Sequence, residues 1–252
     1  MKLLIDIGNT NTSMAVIHKK CFIKRYLIRT SRKEVSVAAF KRLLAGHLSG
    51  IEKIVIVSVV PGFLRIIKKN LKCVINPHIP VLVVGKNIKV PIKNRYKNPK
   101  EVGQDRLVIS FAAANICKPP VIAIDFGTAV TMDFVNVKRE YEGGLIFPGL
   151  RLAMGALTED TALLPVVTLK QAVGFIGRDT HASMNNGILL GYAAMCDGLI
   201  QKFRKKYGKG VKVVATGGDA ALVAKHSRYI KKIYPDLIFE GLRRFYDSPI
   251  AS

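Results

Sequence analysis

The sequence predicts an α/β protein made of two related lobes, each a mixed sheet with helices against it. Three observations carry this expectation. Leu3-Leu4-Ile5-Asp6-Ile7-Gly8-Asn9-Thr10 and Ala123-Ile124-Asp125-Phe126-Gly127-Thr128 both run a short apolar strand into Asp-x-Gly and then a hydroxyl residue. Each is followed by a second apolar stretch, Ser13 to Ile17 and Val130 to Val135, so a strand-turn-strand is written twice. The elements after each turn then come in one order, the mark of internal duplication.

The first half reads as strands over about 2–7, 12–18 and 21–29, a helix over 33–48, a strand over 53–59, a helix over 62–70 and a strand over 80–84. Phe40, Leu43, Leu44, His47 and Leu48 fall on one helical face. Lys53-Ile54-Val55-Ile56-Val57-Ser58-Val59 is a buried-strand run closed by Pro61-Gly62. The order βββαβαβ is the ribonuclease-H-like pattern, a sheet covered by helices. In the second half, strands over about 121–126, 129–136 and 139–147 precede helical stretches over 150–163 and 181–207. A strand over 211–215, a short helix after Asp219 and a last helix over 236–246 complete it. Lys86 to Lys100 is polar, basic and proline-punctuated, and is expected to be an exposed excursion. Cys117-Lys118-Pro119-Pro120 marks a natural boundary, giving lobes 1–117 and 118–252 with a cleft between them.

With 252 residues, 49% of them hydrophobic, the chain can bury a full core. No stretch approaches the roughly 20 apolar residues of a membrane span. Asp6 arrives too early for a signal peptide, so the expected location is the cytoplasm. Cys21, Cys73, Cys117 and Cys196 lie far apart and the five histidines lack ligand spacing, which argues against a disulfide framework or a structural zinc site. The formal charge of +23 attracts phosphates, acidic partners and nucleic acid. The basic residues are scattered, however, and no aromatics interleave with them as on a single-strand platform. Nucleic acid is therefore expected to bind only nonspecifically.

The twin Asp-x-Gly turns are the strongest chemical signal. Glycine lets backbone N–H groups close on a bulky anion, and the threonine hydroxyl can donate to phosphate oxygens. An aspartate beside that anion is unfavourable: at about 4 Å and an effective dielectric of ~20, two unit charges repel by roughly 4 kcal/mol. The arrangement makes sense with a metal cation between them. A nucleotide held by both half-molecules is the expectation, and since G-x-x-x-x-G-K-[ST] is absent it is not a P-loop enzyme.

Four further stretches stand out. Tyr96-Lys97-Asn98-Pro99-Lys100-Glu101-Val102-Gly103-Gln104-Asp105-Arg106 leads into an apolar helix, whose N-terminus adds positive potential near an anion. The plainer reading is an N-cap aspartate with a surface arginine. Gly143-Gly144-Leu145-Ile146-Phe147-Pro148-Gly149-Leu150 brackets a strand with glycines that are turns or places where a ligand nears the main chain. Gly177-Arg178-Asp179-Thr180 precedes a helix whose Gly187 and Gly191 permit close packing, within the subunit or against a second one. Thr216-Gly217-Gly218-Asp219 sits at a strand-to-helix turn suited to an adenosine, or is simply tight.

Taken in order across almost the whole chain, these motifs resemble the type III pantothenate kinases of the acetate kinase/sugar kinase/Hsp70/actin superfamily. The closing Pro235-Asp236-Leu237 and Gly241-Leu242 also fit. The resemblance implies a coenzyme A biosynthesis enzyme that phosphorylates the terminal hydroxyl of pantothenate with magnesium-ATP, as a homodimer on an actin-like ATPase scaffold. It implies ATP binding by Asp6, Ile7, Gly8, Asn9, Thr10, Asn11, Thr12, Ser13 and Thr128, with Asp6 acting through magnesium. Asp125 resembles the monovalent-cation ligand, for potassium or ammonium. Tyr96, Gly103, Gln104, Asp105, Arg106 and Thr180 resemble the substrate pocket, with Asp105 as proton acceptor and Thr180 supplied at the dimer interface. The strong positive charge is not something the resemblance explains. Alternatives are a transcription accessory or nucleic-acid-binding protein on the same scaffold, and a kinase of another small alcohol such as a sugar.

Overall fold

The computed structural model describes residues 1–19, 21–30 and 36–247. The chain forms two compact units: Met1–Pro91 with Lys100–Ile109 and the segment from Ile238, and Ile92–Pro99 with Ser110–Leu237.

The first unit is a five-stranded sheet ordered β3-β2-β1-β4-β5, from β1 (Lys2–Ile7), β2 (Asn11–His18), β3 (Cys21–Arg29), β4 (Lys53–Ser58) and β5 (Val81–Val83). β1 is antiparallel to β2 and parallel to β4. Leu3, Leu4, Ile5 and Ile7 are all buried, as expected of a central strand covered on both faces. Edge strand β3 is different: Lys24, Arg25 and Arg29 are exposed along it, charges that discourage pairing with another chain. Helices α1 (Val37–Leu44) and α2 (Pro61–Val74) bury Phe40, Leu44, Phe63, Leu64, Ile67 and Leu71 against the sheet. Proline opens α2 where no intrahelical N–H is needed.

Helix α1 is shorter than the 33–48 expected from periodicity. Ser36 Oγ accepts the Ala39 N–H at 3.1 Å and fixes the start at Val37. Leu48 falls in a separate 3₁₀ turn, Leu48–Gly50, and residues 33–35 lie outside the described residues.

The second unit repeats the plan with one addition. Its sheet is ordered β10-β7-β8-β9-β6, with β6 (Lys93–Asn94), β7 (Val121–Phe126), β8 (Ala129–Val135), β9 (Glu140–Pro148) and β10 (Lys212–Thr216). β7 is antiparallel to β8 and parallel to β10, as β1 is to β2 and β4. The last strand of the second repeat is reduced to a bridge of Ile233 with Ala215, held by Ala215 N–H to Lys232 O (2.9 Å) and Tyr234 N–H to Ala215 O (2.8 Å). The expected excursion at 86–100 is not merely exposed loop: it supplies β6, which pairs in parallel with β9.

Helix α3 (Gln104–Ile116) joins the two halves of the sequence, and α4 (Leu150–Glu159), α5 (Thr180–Tyr207), α6 (Ala220–Ala224) and α7 (Leu237–Asp247) follow. α5 starts where Asp179 Oδ1 accepts the Ala182 N–H at 2.8 Å and stops at Gly208, whose φ of 96° a helix cannot continue. It buries Met184, Leu189, Ala193, Cys196 and Ile200, and burial pushes the Cys196 thiol up to about 12, an inert core sulfur. Gly187, Gly191 and Gly198 have open space where a side chain would be, so among the described residues nothing packs closely on them.

Candidate active site

The first Asp-x-Gly turn lies at the end of β1. Asp6 pairs in register with Ser13 on β2 and Val57 on β4. Gly8 N–H closes the turn on Asn11 O at 3.0 Å, and a Cβ on Gly8 would sit only 3.1 Å from that oxygen. Asn9, Thr10 and Asn11 are exposed, Asp6, Gly8 and Ser13 half-buried, and Ile7 is core. Thr12 is fully buried, its hydroxyl 2.8 Å from Thr30 Oγ1, so it fastens the turn to the end of β3.

The second turn occupies the equivalent place at the end of β7. Asp125 pairs with Thr131 on β8 and Thr216 on β10. Gly127 N–H bonds Ala129 O at 3.2 Å, a tighter closure that leaves Thr128 exposed. Two other glycines press against it. A Cβ on Gly217 (φ 92°) would lie 2.5 Å from both Asp125 Oδ1 and Phe126 O, and one on Gly149 would overlap the Gly127 and Thr128 carbonyls. Asp219 N–H reaches Phe126 O at 3.4 Å and its carboxylate accepts from Arg151 Nη2 at 2.9 Å. The Thr216–Asp219 turn therefore roofs Asp125. Arg151 is a residue that sequence reasoning missed, because an exposed arginine at the second position of a helix carries no periodic or motif signal.

Asp105 stands in the first turn of α3. Its Oδ1 accepts the Arg106 N–H at 2.8 Å and packs over the bare α-carbon of Gly103. Burial nonetheless raises its pKa from the ordinary value, only partly offset by that N–H and the Arg106 charge. Arg106 is 8% exposed. A surface arginine does not describe Arg106, and Asp105 beside it is only partly exposed. Gln104 has a packing role, since a Cβ on Gly85 (φ 80°) would lie 2.8 Å from its Cδ.

Tyr96 belongs to the second unit, whereas Gly103 to Arg106 belong to the first. Its ring lies over Gly143 (φ 116°), 3.2 Å from where a Cβ would be. The Gly143 surface is thus occupied by a tyrosine ring of this chain. Thr180 is exposed at the start of α5. The described residues include no helix long and apolar enough to cross a membrane.

The Type III pantothenate kinase family model matches residues 2–202. A type III pantothenate kinase of Sulfurihydrogenibium sp. is 38% identical over 231 residues, 89% of this chain and 91% of that one. One from Desulfovibrio desulfuricans is 37% identical over 254 residues, covering 97% and 95%. Among solved structures, a protein described as a 2-dehydro-3-deoxygalactonokinase from Sinorhizobium meliloti superposes with a TM-score of 0.57 at 13% identity, over 97% of both chains. MreB 5 of Spiroplasma citri does so with 0.52 at 9% identity, over 97% and 95%. Those two share the fold, with its two ribonuclease-H-like lobes. By its sequence, this chain belongs to the type III pantothenate kinase family.

Proposed function

We propose that this protein transfers the γ-phosphoryl group of ATP to the terminal hydroxyl of pantothenate, the first step of coenzyme A biosynthesis. The observation that carries the reading is Asp105: a withdrawn carboxyl with a raised pKa, beside buried Arg106, in a chain of this family. Phosphoryl transfer asks mainly for positioning and charge neutralisation. Asp105 aligns the alcohol and accepts its proton late, and its raised pKa makes it a better acceptor than a solvated aspartate. Arg106 balances that carboxylate or grips an anionic part of the substrate. In the first unit Gly103 and Gln104 serve the acceptor and the Asp6–Ser13 turn the phosphates of ATP; in the second, Tyr96 and Thr180 serve the acceptor and Thr128 the nucleotide.

The residues present fit the ions this chemistry uses. Magnesium binds through one or two carboxylates plus substrate phosphates, and half-buried Asp6 at a strand end can supply one. Half-buried Asp125, at the matching strand end of the second unit, offers a carboxylate oxygen of the kind potassium or ammonium takes. When bound, these cations neutralise the charge of the triphosphate.

A homodimer is part of the proposal. Leu163, Val166, Val173, Phe175 and Ile176 are all more than three-quarters exposed, and the open glycine face of α5 follows them in the chain. Apolar exposure of that extent is typical of a surface a partner covers. We expect the enzyme in the cytoplasm, with nucleic acid held only nonspecifically by its basic surface; the family match does not favour a transcription accessory. The test is purified protein with magnesium and ATP, offered pantothenate or a hexose, in potassium or sodium. Pantothenate-dependent ADP release in potassium supports the reading, and turnover of the hexose instead would replace it.

A further inference from the structure

Tyr96 stands on an unusually well-anchored piece of chain. It follows β6, a strand of two residues that pairs Lys93 with Glu140 and Asn94 with Tyr141. Arg95 N–H extends the pairing to Tyr141 O at 2.8 Å. So short an edge strand has little hold of its own. Glu140 supplies the rest: Oε1 meets Arg95 Nη2 at 2.9 Å and Lys93 Nζ at 3.0 Å, and Oε2 accepts from Asn136 Nδ2 at 3.1 Å. The cations are half-exposed but the Glu140 side chain is only 10% exposed, and these partners hold its carboxyl down at about 2.

A second support lies beneath the ring. Tyr96 N–H is fixed on Asn94 Oδ1 at 2.9 Å, and its ring sits 6.4 Å from that of Tyr141. Tyr141 is fully buried and donates its hydroxyl to the fully buried Asp133 at 2.8 Å. The two neighbouring glycines make room for this tilted ring pair. Gly143 lets the Tyr96 ring lie on the backbone, and a Cβ on Gly144 would come within 2.6 Å of Asp133 Oδ1. An ordinary edge strand has no use for a buried acid, a buried tyrosine and two obligatory glycines under one side chain.

We infer that Glu140 and the Asp133–Tyr141 pair are positioning residues that hold the Tyr96 ring as one wall of the acceptor pocket, and so help set the affinity for the alcohol substrate. The inference rests on the reading of Tyr96 as an acceptor contact. Glu140 fixes where the chain carrying Tyr96 leaves the sheet, and Tyr141, held by Asp133, fixes how deep the ring sits. Gly143 and Gly144 then serve the packing of the protein's own side chains rather than the approach of a ligand.

A double-mutant cycle with Glu140→Gln and Tyr96→Ala tests this, with Tyr141→Phe and Gly143→Ala as independent probes of the second support and thermal melting to verify folding. Glu140→Gln, Tyr141→Phe and Gly143→Ala are each expected to raise the KM for pantothenate about tenfold while the KM for ATP stays within about twofold. In the Tyr96→Ala background the Glu140→Gln effect is expected to vanish, because the side chain being positioned is gone. An effect of Glu140→Gln that is undiminished in that background, or that falls equally on ATP, overturns the inference while leaving Tyr96 as a contact. If Tyr96→Ala alone leaves the pantothenate KM unchanged, the acceptor reading of Tyr96 fails and the inference with it.

Discussion

The two Asp-x-Gly turns begin from the same strand pairing and end in different surroundings. At the first, Gly8 closes on Asn11 three residues later, and Asn9, Thr10 and Asn11 remain exposed. At the second, Gly127 closes on Ala129 two residues later, and the Gly149 and Gly217 backbones press on it until a methyl group could not fit. One copy leaves three turn residues at the surface. The other keeps backbone carbonyls around a carboxylate. Duplication preserved the hairpin, and the glycines arriving from elsewhere in the chain gave each copy its own chemistry. Two acids elsewhere in the units also differ: burial raises Asp105 in the first, whereas Arg95, Asn136 and Lys93 lower Glu140 in the second.

The largest contrast should come from the glycines themselves. Gly217→Ala forces a side chain into φ 92° and onto Asp125, and is expected to destabilise the protein by about 3 kcal/mol and abolish activity. Gly8→Ala meets one carbonyl at 3.1 Å with no positive φ, and should cost about 1 kcal/mol or less. Equal losses in thermal melts of the two variants would mean that the turns are not differently enclosed.

Next come the carboxylates. Asp6→Asn should lower kcat/KM about 100-fold in either potassium or sodium, whereas Asp125→Asn should chiefly erase the difference between the two salts. Kinetics in both salts decide it, and a potassium preference that survives Asp125→Asn removes that residue as the monovalent-cation ligand.

Smaller effects should appear in the pH dependence of stability, with opposite signs in the two units. The folded-state pKa of Asp105 is raised, so its contribution is fully present below the ordinary value of 3.8 and is lost as pH rises through the folded value. Asp105→Asn should therefore be slightly more stable than the parent at neutral pH, with the gain shrinking in acid. The pKa of Glu140 is lowered from 4.5 to about 2, so its contribution is present above 4.5 and lost as pH falls toward 2. Glu140→Gln should be less stable at neutral pH and converge with the parent in acid. Melts from pH 2 to 7 would show whether the signs differ.

Much of this was legible in the sequence. Continuous apolar runs such as Lys53–Val59 mark central strands because both faces are covered, and the Asp-x-Gly repeat located both turns without structural help. The α1 boundary was not legible, since a local Ser36 cap outweighed a helical periodicity that ran on to Leu48. Strand β6 was hidden because two polar residues, Lys93 and Asn94, join the sheet through a charge partner, Glu140, about forty-five positions away. Arg106 read as a surface cation beside a cap, and only burial distinguishes it. Pairings set by long-range contacts leave no local pattern, and Tyr96 over Gly143 is another of that kind.

The most direct test of the account is pantothenate-dependent turnover by the Asp105→Asn variant, measured beside its affinity for ATP. The account predicts an unchanged ATP Kd and a kcat lower by about 100-fold or more. An Asp105→Asn enzyme that phosphorylates pantothenate at close to the parent rate would contradict it.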